Sequence, residues 1–174
     1  MKLKLQLALA LAVMAAGCAS HKEHIVFSDE AAVRAASAGS VAPPQGKSLD
    51  KADERNIEQV VFGNLLEQKF WDLADYSAVF IEADDPQVKE LMKKYPDHAP
   101  PVKLASHARI QSHRAPVDKD TNKPAMILNV DVNEPNADDS VDAVGRWYAG
   151  DAVTGFRAFS LKKTDGQWQI TAVK

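Results

Sequence analysis

Cys18 is the only cysteine in this chain of 174 residues, and it directly follows Ala15-Ala16-Gly17. A lone thiol cannot close an intramolecular disulfide, so its sulfur is left for other chemistry. Five histidines are the next candidates. His21 and His24 lie three apart beside Cys18, but ordering a tether costs more than two metal bonds return. His107 and His113 are six apart, and no further cysteine exists to complete a zinc set. Asp118-Lys119-Asp120-Thr121-Asn122 repeats the first alternating ligand positions of a calcium loop. Lys123 then replaces the turn glycine, and Asn129 stands where a bidentate glutamate is needed. The same residue types suit a turn held by side-chain-to-backbone hydrogen bonds, so the sequence predicts a turn and no metal site.

Acid–base chemistry needs a carboxylate whose pKa is raised by burial. Asp131 and Asp142 are the candidates, with His107 a weaker one. Arg146, Trp147 and Tyr148 could line a pocket for them, the rings offering stacking faces and the guanidinium an anion contact. No Gly-x-Ser-x-Gly elbow and no glycine-rich phosphate loop is present, so neither nucleophilic serine chemistry nor a nucleotide cofactor is expected. Formal net charge is -3, and no run of Lys and Arg could neutralise a row of phosphates, which points away from nucleic acid as a partner.

The segment that carries Cys18 has three parts. Lys2 and Lys4 come first, then an apolar stretch through Leu5, Leu7, Leu9, Leu11 and Val13, then small residues up to Gly17. That is the layout of a signal peptide over residues 1–17, and the apolar stretch is shorter than the roughly 20 residues that span a bilayer as a helix. Ala15-Ala16-Gly17-Cys18 resembles the lipobox of bacterial lipoproteins, with Ala15 where that pattern most often has Leu. The resemblance implies cleavage before Cys18, a diacylglycerol on its thiol and an acyl chain on its new amino group. Several acyl chains make a stable anchor. Ala19 rather than Asp follows, which the resemblance reads as outer-membrane placement, with the domain facing the periplasm. Without Lys2 and Lys4 the chain holds 19 basic and 24 acidic residues, a net of -5, so anionic lipid should repel it as a whole.

Residues 18–47 hold one aromatic, Phe27, whereas the other eleven fall from Phe62 onward, so this stretch reads as a flexible tether and the domain as residues 48–174. Ile25-Val26-Phe27 is an apolar triplet within the tether that could dock on the domain or on a partner. The first domain helix starts at Ser48 or Asp50 and carries Ile57, Val60, Val61 and Leu65, with Phe62, Leu66 and Phe70 beside them. A strand is expected over 76–83, and a helix from Asp84-Asp85-Pro86 to Pro96. Strands follow over 102–111, 126–132, 141–148, 156–163 and 167–173, the last two joined by Thr164-Asp165-Gly166. The fold class is α+β: two helices packed on one curved antiparallel sheet that ends in a C-terminal meander.

Gly145-Arg146-Trp147-Tyr148-Ala149-Gly150 and Asp165-Gly166-Gln167-Trp168-Gln169-Ile170 resemble the last hairpins of cystatin-like or NTF2-like bacterial envelope domains. The resemblance implies a fold and leaves activity open, since such folds host enzymes and plain binding modules alike. Two functions are therefore carried forward. One is an outer-membrane lipoprotein acting as a non-enzymatic binding or accessory module for an envelope protein or small apolar ligand. The other is an NTF2-like enzyme, which should aim Asp131, Asp142, His107 or Arg146 between sheet and helix. Trp168 is expected to face the core.

Overall fold

The computed structural model describes residues 48–68, 76–110 and 113–174. Helix α1 (Lys51–Glu67) begins where Asp50 accepts a hydrogen bond from the Asp53 amide, with Asp53 and Glu54 in its positively polarised first turn. Helix α2 (Asp85–Lys94) is capped by Asp84, whose carboxylate accepts from the Gln87 amide; Pro86 sits in the first turn and Lys93 and Lys94 in the last. The two helices are joined by polar contacts: Arg55 pairs with Asp84 at 2.6 Å, and the buried Gln87 donates to Glu58 at 2.9 Å.

Among the described residues there are eight strands. They are β1 (Val79–Ile81), β2 (Val102–Leu104), β3 (Ala108–Arg109), β4 (Val117–Asp118), β5 (Met126–Pro135), β6 (Val141–Tyr148), β7 (Thr154–Thr164) and β8 (Gln167–Val173). Six of them form one sheet in the order β2-β1-β5-β6-β7-β8, while β3 and β4 form a separate antiparallel pair. The architecture is α+β, with the expected meander from β5 to β8. In that meander Asp165 (φ 52°) and Gly166 (φ 79°) make the two-residue turn that the Asp-Gly pair predicts.

One part of the sheet differs from the sequence reading. Strand β1 runs parallel to both of its neighbours, β2 and β5. Parallel neighbours need crossovers, and the chain makes two. Helix α2 carries it from β1 to β2 on one face. Residues 105–110 and 113–125 carry it from β2 past β1 to β5, and Lys103 of β2 reaches Asp118 and Asp120 of the latter stretch. A strand covered on both faces is apolar throughout, as Val79, Phe80 and Ile81 are. The alternating stretch 102–111 also breaks: β1 is three residues wide, so β2 loses its partner after Leu104 and turns through a 3₁₀ turn, Ala105–His107.

The core lies between α1 and the sheet. Ile57, Val61, Phe62 and Leu65 pack with Val79, Ile81, Met126, Leu128, Ala143, Phe159 and Leu161. Gly145 is part of that fit, since a Cβ there would stand 2.8 Å from Leu65 and 3.2 Å from Phe159 and Val61. The second face is closed at its β1–β5 end, where Phe80 and Ile127 are buried, and open beyond it, where Phe156 is exposed.

Candidate functional site: a cleft over the first helix

Helical spacing brings Asn56, Gln59 and Val60 to one side of α1, and Glu90, Leu91 and Lys94 to one side of α2. Gly166, Gln167 and Trp168, at the β7–β8 turn, complete a cleft of about 370 Å³. Its apolar surface comes from Val60, Leu91 and Trp168, and its rim carries amides, a carboxylate and an ammonium. Gln59 donates to Glu90 at 2.5 Å across the cleft, fixing both side chains. The Lys94 ammonium lies 5.2 Å from the centroid of the Tyr95 ring. Such a surface can seat an apolar side chain or small apolar group and hydrogen-bond its polar edge.

Trp168 is anchored behind the cleft. Its indole N–H donates to Asp53 Oδ1 at 2.9 Å, and Lys163 reaches the same oxygen at 2.6 Å. The Lys163 ammonium also sits 5.8 Å from the Trp168 ring centroid. The Lys163 bond first, and the Trp168 bond second, hold the Asp53 carboxyl below its ordinary value. In the second, smaller cleft, beside Ala83 and Asp84, burial pushes the Glu58 carboxyl up against the opposing bond from Gln87.

The residues singled out for acid–base work stand elsewhere. Strand alternation puts Gly145 and Trp147 on the helix-bearing face, with the Trp147 ring over Gly155, and turns Arg146 and Tyr148 to the second face. The three therefore do not share one lining. Arg146 forms an ion pair with Asp131 on that second face. Asp142 accepts from Ser160 at 2.6 Å and lies 3.6 Å from the Lys174 ammonium. His107 is exposed, 3.5 Å from Asp120, and His113 bonds Asp151 at 3.0 Å. Among the described residues no group of three His, Cys, Asp or Glu side chains is placed to hold a metal ion.

The calcium-like loop has its own cation. Lys103 lies 3.0 Å from Asp118 Oδ2 and 2.9 Å from Asp120 Oδ2, between the carboxylates that would open such a loop. Asp118 is fully buried; it also accepts from the Asp120 amide and the Thr121 hydroxyl. Burial opposes its ionisation, but Lys103 and these two donors outweigh it and leave its carboxyl below the usual range.

Sequence reasoning named Trp168 as core and passed over Asn56, Gln59, Glu90 and Lys94 in the cleft. Their signal was the polar interruption of an apolar stripe, which an exposed helix face also gives. Cys18, His21, His24 and the Ile25-Val26-Phe27 triplet lie outside the described residues. No helix among the described residues is long and apolar enough to cross a membrane. No protein-family model, curated protein or solved structure matches this chain.

Proposed function

We propose that this chain is a lipoprotein of the bacterial outer membrane, anchored by acylation at Cys18, whose domain faces the periplasm as a non-enzymatic binding module. The observation that carries the binding role is how the two sides of α1 differ. Toward the sheet, Val61, Leu65 and Phe159 pack around Gly145 so closely that an added methyl group would collide with them. Away from the sheet, Val60 and its polar neighbours floor an open cleft. An NTF2-like enzyme would use the first side, and the side chains proposed for its chemistry are spent on ion pairs and hydrogen bonds on the second face and the surface.

The anchor reading rests on Lys2, Lys4, the apolar run and Ala16-Gly17-Cys18. The occupant that suits the cleft is an apolar side chain or group with a hydrogen-bonding edge, offered by an envelope protein or a small ligand. Crosslinking in intact cells tests this. A photo-reactive residue at Gln167, inside the cleft, should give a discrete adduct that the same residue at Asp139 does not give. Equal, diffuse labelling from both positions would contradict the proposal.

A further inference from the structure

Residues 103–124 hold five cations, Lys103, Arg109, Arg114, Lys119 and Lys123, against Asp118 and Asp120. The rest of the described chain holds 17 acids and 10 Lys and Arg residues. Both acids of the segment are spent on Lys103. Arg109, Arg114, Lys119 and Lys123 are exposed, and none of the four forms an ion pair with a carboxylate among the described residues. Arg109 instead meets the Asn122 side chain at 3.4 Å, and Lys119 the Ser106 carbonyl at 2.7 Å. Spacing of four or five residues hides this group in the sequence; the β3–β4 pairing gathers it onto one flap.

The flap occupies one end of the sheet. It leads into Met126 at the start of β5 and touches the β6–β7 turn, where Gly150 (φ 94°) lets the backbone of Ala115 approach; a Cβ would meet Ala115 N at 2.8 Å. Glu134, Asp138 and Asp139 lie at the other end of β5 and in its turn to β6. Ten strand residues separate the two ends by roughly 30 Å. Exposed cations thus gather at the flap, where Asp151 of the β6–β7 turn bonds His113 at 3.0 Å, while Asp138 at the far end meets Lys162 at 3.9 Å and Glu134 and Asp139 stand beside it.

We infer that the flap is a docking surface for phosphate-bearing anionic lipid, and that it turns this end of the domain toward the bilayer. The choice of lipid rests on the reading of Cys18 as an anchor, which keeps a membrane within reach at all times. Between Cys18 and Ser48 lie 29 residues, a maximal reach of about 100 Å, so chain length does not prevent the flap from meeting the surface. The exposed Ile110 beside Arg109 adds an apolar contact of the kind that enters a headgroup layer. Whole-chain repulsion and local attraction are both present, and at a surface screened beyond about 10 Å the nearest charges dominate.

The test compares the mature chain, residues 18–174, carrying Cys18→Ser with the same chain carrying in addition Arg109→Gln, Arg114→Gln, Lys119→Gln and Lys123→Gln. Both are sedimented with phosphatidylcholine vesicles, with and without phosphatidylglycerol. The expected result is that phosphatidylglycerol strengthens binding of the first chain only, by about fivefold for each cation, and that raised salt removes the gain. Matching melting temperatures show that the fourfold variant is folded. Equal response of the two chains to phosphatidylglycerol, or binding to a duplex oligonucleotide in place of vesicles, would overturn the proposal. Failure of the anchor reading shows separately, as an unmodified mass for the wild-type chain taken from cells.

Discussion

The indole nitrogen of Trp168 donates to the carboxylate of Asp53 at 2.9 Å, tying the start of the last strand to the first turn of α1. These residues are 115 apart in sequence. The bond ties β8 to α1, and it fixes the wall of the cleft. Trp168 is 9% exposed, so most of its ring is packed while one edge borders the opening.

Trp168→Ala should therefore cost about 3–5 kcal/mol, a large share of a typical domain's stability of about 5–15 kcal/mol. Trp168→Phe retains most of the packing and loses the bond to Asp53, for about 0.5–3 kcal/mol. Gln169→Ala, on an exposed position of the same strand, should be nearly silent. Chemical denaturation of the three variants gives the ranking, and a Trp168→Ala midpoint equal to wild type would show that the ring serves binding alone.

Asp53 sets part of the acid response. Its folded value lies below the unfolded one because Lys163 and Trp168 bond the ionised form. The contribution is complete above the unfolded value of about 3.9 and disappears as pH falls through the lower folded value. Asp53→Asn should flatten the stability curve below about pH 4 and lower its plateau at neutral pH. Melting temperature against pH checks this, and an unchanged acid limb would refute the role given to the carboxylate.

Calcium should leave the melting temperature unchanged, because Lys103 already bridges Asp118 and Asp120. A specific site would add about 2.7 kcal/mol at a hundredfold excess over its Kd. Lys103→Met removes the bridge and leaves the buried Asp118 with two hydrogen-bond donors but no counter-charge, for a loss of about 1.5–3 kcal/mol. A calcium-specific rise of several degrees in the wild-type chain would contradict this assignment.

Gly145→Ala should destabilise by about 1–3 kcal/mol, since the new methyl would press on Leu65 at 2.8 Å where the interior has no slack. Unfolding by urea measures it. A neutral outcome would mean that α1 can shift from the sheet, and that the inner side is more open than its packing indicates.

The helix caps and the last turn were legible because their chemistry is local: Asp50 and Asp84 bond amides three residues on, and Asp165-Gly166 adopts the positive φ its residues tolerate. The direction of β1 was not legible, since three consecutive apolar residues mark a strand covered on both faces but do not name its neighbours or their direction. Nor was the break after Leu104, where alternation continues in sequence but the partner strand ends. The separation of Trp147 from Arg146 and Tyr148 was implicit in strand geometry, because adjacent residues on a strand point to opposite faces. The cleft was hidden for a different reason: it needs α1, α2 and the β7–β8 turn together, and no local pattern encodes their meeting.

The central claim, a domain held at a membrane through Cys18, is tested most directly by the intact mass and membrane partition of the full-length gene product in its cells. The account predicts a membrane-bound chain that begins at Cys18 and carries diacylglyceryl and acyl mass, and a Cys18→Ser chain released from the membrane fraction. An unmodified Cys18 in a chain found with the soluble fraction would contradict it.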